Sequence, residues 1–190
     1  LGISEFQKLD FHSPYGCSKG VADQYTIDFS RIFGLNTCTF RQSCIYGKRQ
    51  FGIEDQGWVA WFIIATLQNK PITIFGDGWQ TRDILEVEDL CKAYEYAWHH
   101  KEKIKGESFN IGGGNKNTLC LRKLIDILEI ELGKKITVKN GSTRAGDQPV
   151  YISDISKAEK LLSWKPLISN SEGIKNLIEW VKNNPKLFKD

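Results

Sequence analysis

Ser13-Pro14-Tyr15-Gly16-Cys17-Ser18-Lys19 is the stretch on which the rest of the reading turns. Ser13 suits a helix N-cap, and Pro14 suits the first helical position, where its missing N–H costs nothing. On that helix Tyr15 and Lys19 project from one face, about 6 Å apart along the axis. An ammonium beside a phenol stabilises the phenolate, lowering the tyrosine pKa from about 10 towards neutrality. The pair is therefore a candidate acid/base couple. Taken alone, the same spacing also describes two half-exposed helix residues.

Working outward, residues 13–33 read as one helix, with Val21, Tyr25, Ile27, Phe29 and Ile32 as its apolar positions and Gly34 as its stop. A buried-type strand is expected over 35–40, and a helix returning directly into a strand points to an α/β layer. Arg41 to Gly47 then forms the loop beyond the strand's carboxyl end, where open α/β sheets place ligands. Helix 56–69 follows, ended by Pro71. Strand 72–75 turns at Gly76-Asp77-Gly78 and is expected to form a hairpin with Gln80–Leu85. A helix over 87–100 carries Asp89 in its first turn. Strand 108–111 runs into Gly112-Gly113-Gly114, and Thr118 starts a helix that reaches Leu132 and stops at Gly133. A short strand over 136–138 and a polar loop over 140–148 come next. The last two helices span 154–162 and 171–183, with Asp154 and Ser171 as N-caps.

The chain has 190 residues, enough for one domain with a satellite lobe. A net charge of +3, with Lys and Arg dispersed among Asp and Glu, argues against a nucleic-acid or membrane-surface partner. No apolar run approaches the ~18 residues of a membrane span. The start has neither a basic region nor an apolar one, so it does not read as a signal peptide. It begins with Leu and enters a helix almost at once, which reads as the continuation of something longer. The five cysteines are widely spaced in apolar segments and form no Cys-x-x-Cys, so they read as buried free thiols of a reducing, cytoplasmic compartment. Neither they nor the three histidines suggest a metal site.

Gly112-Gly113-Gly114 lacks the G-x-G-x-x-G spacing of a dinucleotide loop, and no such fingerprint occurs elsewhere in the chain. Gly76-Asp77-Gly78 reads as a turn. Arg82, inside an apolar strand, and Arg144, in a polar loop, are the guanidinium type that grips a diphosphate, although each alone also suits a salt bridge. Trp58, Trp61 and Phe62 suit a core at least as well as a base-stacking surface. No G-x-S-x-G elbow supports a serine nucleophile.

Together these pieces resemble the extended short-chain dehydrogenase/reductase family of nucleotide-sugar-modifying enzymes. The matching text is Ser13–Lys19, Tyr46-Gly47, Gly76-Asp77-Gly78-x-x-x-Arg82-Asp83-Ile84-Leu85-x-Val87-x-Asp89, Phe109-Asn110-Ile111-Gly112, Arg144-x-Gly146-Asp147 and Trp164-x-Pro166. Asp55-Gln56-Gly57-Trp58 and Gly146-Asp147-Gln148 resemble the branch that epimerises CDP-linked deoxyhexoses at carbon 2. Neighbouring 4-epimerases and 4,6-dehydratases share much of the text. The resemblance implies an α/β fold: the C-terminal part of a Rossmann-type, doubly wound parallel sheet plus a smaller substrate lobe. Residues 1–47 and 86–114 would belong to the NAD-binding layer, and 48–85 and 115–190 to the lobe.

It also implies NAD as cofactor and a CDP-sugar as substrate. Tyr15 and Lys19 would be catalytic and would contact the cofactor, with Arg41, Gln42 and Ser43 lining the nicotinamide. Tyr46, Gln50, Gln56, Trp58, Arg82, Arg144 and Asp147 would bind substrate, the two arginines at the diphosphate. The family's glycine-rich NAD loop, its ribose-binding acid and the Ser/Thr that assists the tyrosine lie upstream of this helix and are absent from these residues. The chain is thus expected to be a C-terminal part that binds NAD poorly and is inactive alone, or a fragment that only binds a nucleotide sugar. Family members commonly pair through the Tyr-Lys helix and its neighbour, so a homo-oligomer is expected.

Overall fold

A computed structural model describes residues 2–188. Helix α1 (Pro14–Phe33) begins as the sequence dictates: the Ser13 hydroxyl accepts from the Gly16 N–H at 3.0 Å. It ends at Gly34, whose positive φ of 72° lets its N–H turn back to the Ser30 carbonyl. Strand β1 (Thr39–Gln42) pairs in parallel with β5 (Ser108–Ile111). Strand β2 (Cys44–Tyr46) pairs in parallel with β4 (Thr81–Glu86). The expected strand over 35–40 with a loop after it is therefore corrected: the strand starts later, takes in Arg41 and Gln42, and resumes after Ser43. At Ser43 the chain changes partner, its N–H bonded to Ile111 of β5 and its hydroxyl to Asp83 of β4.

Helix α2 (Trp58–Leu67) is apolar almost throughout and is buried accordingly. Strand β3 (Ile72–Phe75) forms no hairpin with β4. It pairs in parallel with β7 (Val138–Gly141), which lies a little beyond the expected 136–138. Gly76 and Gly78 both have φ near +80°, and Gln80 bonds back to the Phe75 carbonyl at 2.7 Å, so the chain leaves the line of β3 before β4 begins. Beyond β4 and its N-cap Glu86, helix α3 (Val87–His99) forms as expected.

Thr118 opens a strand rather than a helix. Strand β6 (Thr118–Cys120) runs antiparallel along β4, which pairs in parallel with β8 (Val150–Tyr151) as well, and helix α4 (Leu121–Leu132) starts only after β6. Backbone pairing overrides helix propensity here. Helices α5 (Ser156–Leu162) and α6 (Asn170–Asn183) follow. The N-cap of α6 is Ser169, not Ser171, and that of α5 is Ile155, not Asp154, although the Asp154 carboxylate accepts from the Ser156 N–H at 3.0 Å.

Two cores result. The larger packs α2, β3, α4 and α6 around Ile63, Leu124, Leu128 and Leu177. The smaller gathers Leu85, Ala93, Phe109, Ile111, Leu162 and Trp164. Leu162 and Trp164 join this second core although the sequence assignment groups residues 115–190 together. The cysteines are all free, but Cys17 and Cys91 are exposed, which corrects the expectation of a buried set; only Cys120 is fully buried. Among the described residues no helix is long and apolar enough to cross a membrane, and none of their His, Cys, Asp and Glu side chains cluster as metal ligands.

Candidate functional site

Tyr15 and Lys19 share one face of α1, with the Lys19 Nζ 5.4 Å from the centre of the Tyr15 ring. Tyr15 is 69% exposed. Neither polar group has a hydrogen-bond partner among the described residues. Next to Lys19, Gly20 lies against the Phe11 ring so closely that a Cβ there would overlap it. An exposed phenol and ammonium with free hydrogen-bonding capacity fit the ribose hydroxyls of a dinucleotide.

The three residues expected beside them are engaged within the fold. Arg41 grips Asp23 of α1 with two hydrogen bonds, at 3.0 and 2.8 Å, and donates a third to the Glu5 carbonyl. Burial alone would raise the Asp23 carboxyl, but the hydrogen bonds and the charge of Arg41 hold it below its usual range. Gln42 donates to the Tyr94 hydroxyl at 2.7 Å. Ser43 donates to both the carbonyl and the carboxylate of Asp83, a residue with no solvent exposure. The other Asp83 oxygen accepts from the Gly114 N–H at 3.1 Å. Gly112 and Gly113 pass so close to Asp83 and to the Ile84 carbonyl that neither has room for a Cβ.

A cavity of about 310 Å³ opens between α2, β3 and the loop before β8. Trp58 and Phe62 form one wall, and Thr73 and Phe75 another, because the alternation along β3 sends Ile72 and Ile74 into the core. Cys44 lies at its base, where burial pushes the thiol pKa up. Arg82 reaches in from β4, donating to Asp147 at 2.7 Å, while Gln80 holds the other Asp147 oxygen at 3.2 Å. Arg144 sits over the Phe75 ring, its guanidinium carbon 4.0 Å from the ring centre, and pairs with Asp55 at 2.8 Å. The cavity has aromatic rings on two walls and carries two guanidinium groups, one of them over Phe75. Such a surface suits a planar base joined to a diphosphate.

Trp58, Arg82, Arg144 and Asp147 are thus brought together as expected. Tyr46, Gln50 and Gln56 are not. Tyr46 is buried in the larger core against Gly173, and burial raises its pKa. Gln50 donates to the Ile45 carbonyl at 3.1 Å, and Gln56 closes an exposed turn with Ile53. Thr73, Phe75, Leu121 and Glu54 line the cavity without having been singled out in the sequence. The alternation of β3 was the available signal for the first two.

The sequence pattern of the NAD dependent epimerase/dehydratase family matches residues 3–112. CDP-paratose 2-epimerase of Salmonella typhi is 44% identical over 187 residues, covering 96% of this chain and 55% of that protein. UDP-glucuronate 4-epimerase of Thermodesulfobacterium geofontis is 35% identical over 177 residues, covering 93% and 53%. The crystal structure of UDP-glucuronic acid 4-epimerase from Bacillus cereus, in complex with UDP-glucuronic acid and NAD, superposes with a TM-score of 0.87 at 32% identity. The match covers 96% of this chain and 57% of that one. The chain therefore spans a little over half the length of the relatives it matches.

Proposed function

Because this chain belongs to the NAD dependent epimerase/dehydratase family, whose members are NAD-dependent and share a Rossmann-type α/β fold, we propose that it is part of a nucleotide-sugar epimerase. The reaction assigned is inversion at carbon 2 of a CDP-linked deoxyhexose, CDP-paratose to CDP-tyvelose. The carrying observation is the aromatic cavity with Arg82, Arg144 and Asp147 converging at one side. The likeness to the Salmonella typhi 2-epimerase supports this choice of sugar and nucleotide. On this reading residues 1–47 and 86–114 belong to the NAD-binding layer, and 48–85 and 115–190 to the substrate lobe.

Tyr15 takes the proton of the carbon-2 hydroxyl, with the Lys19 ammonium beside it on the same helical face. NAD, when bound, would supply a reversible hydride acceptor for carbon 2, so the reaction would have no net redox change. The 2-keto sugar turns over between the two transfers, and Tyr15 gives the proton back. Arg82 and Arg144 hold the diphosphate, which keeps one end of the substrate fixed while the other reorients. Lys19 also holds the cofactor's ribose hydroxyls, and Trp58 lines the nucleotide pocket. Arg41, Gln42 and Ser43, already paired within the fold, act on the nicotinamide side as a rigid wall.

The same reading makes the protein cytoplasmic and a homo-oligomer pairing through α1, on which Tyr25, Phe29 and Phe33 are exposed. These 190 residues contain no glycine-rich dinucleotide loop, so the chain alone is expected to bind CDP without turning over substrate. Two measurements test the proposal. Calorimetric titration of the chain should show CDP binding, and Arg82→Ala should lose about tenfold or more of it. Product analysis by NMR, with CDP-paratose and NAD and these residues joined behind a dinucleotide loop, should show the 2-epimer. A 4-epimer or a dehydrated sugar would instead assign the activity of the neighbouring family branches.

A further inference from the structure

Among the side chains that line the cavity of about 310 Å³, two are pure hydrogen-bond acceptors, the carboxylates of Glu54 and Asp147. Both oxygens of Asp147 are taken, one by Arg82 at 2.7 Å and the other by Gln80 at 3.2 Å. The Gln80 amide donates to the Phe75 carbonyl as well, and its own oxygen is buried out of solvent's reach. Glu54 differs. Its backbone carbonyl accepts from Arg144 at 3.3 Å, while its carboxylate makes no hydrogen bond or ion pair among the described residues. The neighbouring Asp55 takes the Arg144 charge instead, at 2.8 Å. Because Arg144 sits over the Phe75 ring, its bond to the Glu54 carbonyl keeps Glu54 beside the aromatic wall against which a base would lie.

Cytosine and uracil have the same outline and the same carbonyl at position 2. At position 4 they differ: cytosine carries an amino donor, uracil a carbonyl acceptor. The thiol of Cys44 and the hydroxyl of Thr73, which also line the cavity, can each donate or accept, so they suit either ring. Arg82 and Arg144 meet the same phosphates in both nucleotides. An acceptor-only carboxylate does discriminate. It takes an N–H from cytosine, and it sets oxygen against oxygen with uracil.

Resting on the nucleotide-sugar reading, we infer that Glu54 selects the nucleobase: its carboxylate accepts from the exocyclic amino group of cytosine, so the cavity takes cytidine nucleotides in preference to uridine nucleotides. A carboxylate that stood near the diphosphate without touching the base would repel both nucleotides alike. The two cases give different ratios of affinity.

Calorimetric titration of the 190-residue chain with CDP and with UDP tests this, comparing wild type with Glu54→Gln and Glu54→Lys. Wild type should bind CDP about tenfold tighter than UDP. In Glu54→Gln, whose amide can donate or accept by turning over, the ratio should fall to about threefold or less. Glu54→Lys supplies a pure donor and should reverse the preference in favour of UDP. Glu54 is exposed, so both variants are expected to fold, and thermal unfolding checks that they do. Wild type that binds the two nucleotides equally, or variants that keep the wild-type ratio, overturns the role of Glu54 and leaves the diphosphate site standing. So does a variant that tightens CDP and UDP by the same factor, the mark of a carboxylate that only repels phosphate. Wild type that binds neither nucleotide overturns the nucleotide-sugar reading, and base selection by Glu54 with it.

Discussion

Asp83 is a carboxylate with no solvent exposure and no cation against it; its oxygens are satisfied instead by the Ser43 hydroxyl and the Gly114 N–H. It joins the crossing from β1 to β2 to the glycine turn after β5. Replacing it with alanine strands the buried Gly114 N–H and leaves the Ser43 hydroxyl only the residue's backbone carbonyl, and Asp83→Ala should cost about 2–4 kcal/mol in urea unfolding. Gly113→Ala should cost about 1–3 kcal/mol or more in the same measurement, because its Cβ would run into the Ile84 carbonyl, a backbone atom that cannot step aside. The Asp23–Arg41 pair adds a pH signature. A carboxyl held below its ordinary 3.8 stabilises the fold above that value, and the contribution fades as pH falls through the lower folded value. Asp23→Asn should therefore destabilise the chain at pH 7 by about 1–3 kcal/mol, with the gap to wild type narrowing below pH ~4. Unfolding curves at both pH values check the trend.

Elements whose signals are local stand where the sequence puts them. Ser13 and Gly34 bound α1, and each makes a testable contribution: Ser13→Ala should cost about 1 kcal/mol, and Gly34→Ala about 1–2 kcal/mol because alanine is strained at a φ of 72°. Thermal unfolding of the two variants reads both. Strands β3 and β5 and helix α3 were equally legible, from period-2 alternation and from the apolar stripe of a helix. What the sequence hid was pairing. Ser43 and Thr118 are polar residues that look like loop and cap; they sit in or between strands because Ser43 bonds to Asp83 and Ile111, and Thr118 pairs with Asp83, all far away in sequence. The hairpin of β3 with β4 failed for the same reason, since β4 has three other partners. In the site, Arg82, Arg144, Asp147 and Trp58 could be named because motif text carries them. Tyr46 could not be told from a pocket residue, since only the packing of Gly173 against its hydroxyl shows it to be core.

Across the whole molecule, Trp164 connects parts that no sheet joins. Its indole N–H donates to the Asp89 carbonyl at 2.9 Å, while the Asp89 carboxylate accepts from the Leu167 and Ile168 N–H groups at 2.9 and 2.8 Å. Helix α3 is thereby fastened to the segment between α5 and α6. Trp164→Ala should cost about 3–5 kcal/mol, read as a drop in the urea midpoint, because it empties a fully buried site and leaves a carbonyl without its donor. Nearly all the strand pairs described above are parallel, and Thr39 meets Ser108 just as Ile72 meets Val138, so each of these ladders closes a loop of roughly seventy residues. Chain entropy must be lost before such contacts give anything back. Refolding is therefore expected on the slow side, milliseconds to seconds, with α1 and α4 forming well before any strand finds its neighbour. Until then the apolar run of α2 stands uncovered, which makes crowding and concentration the conditions that decide how much of the chain arrives folded.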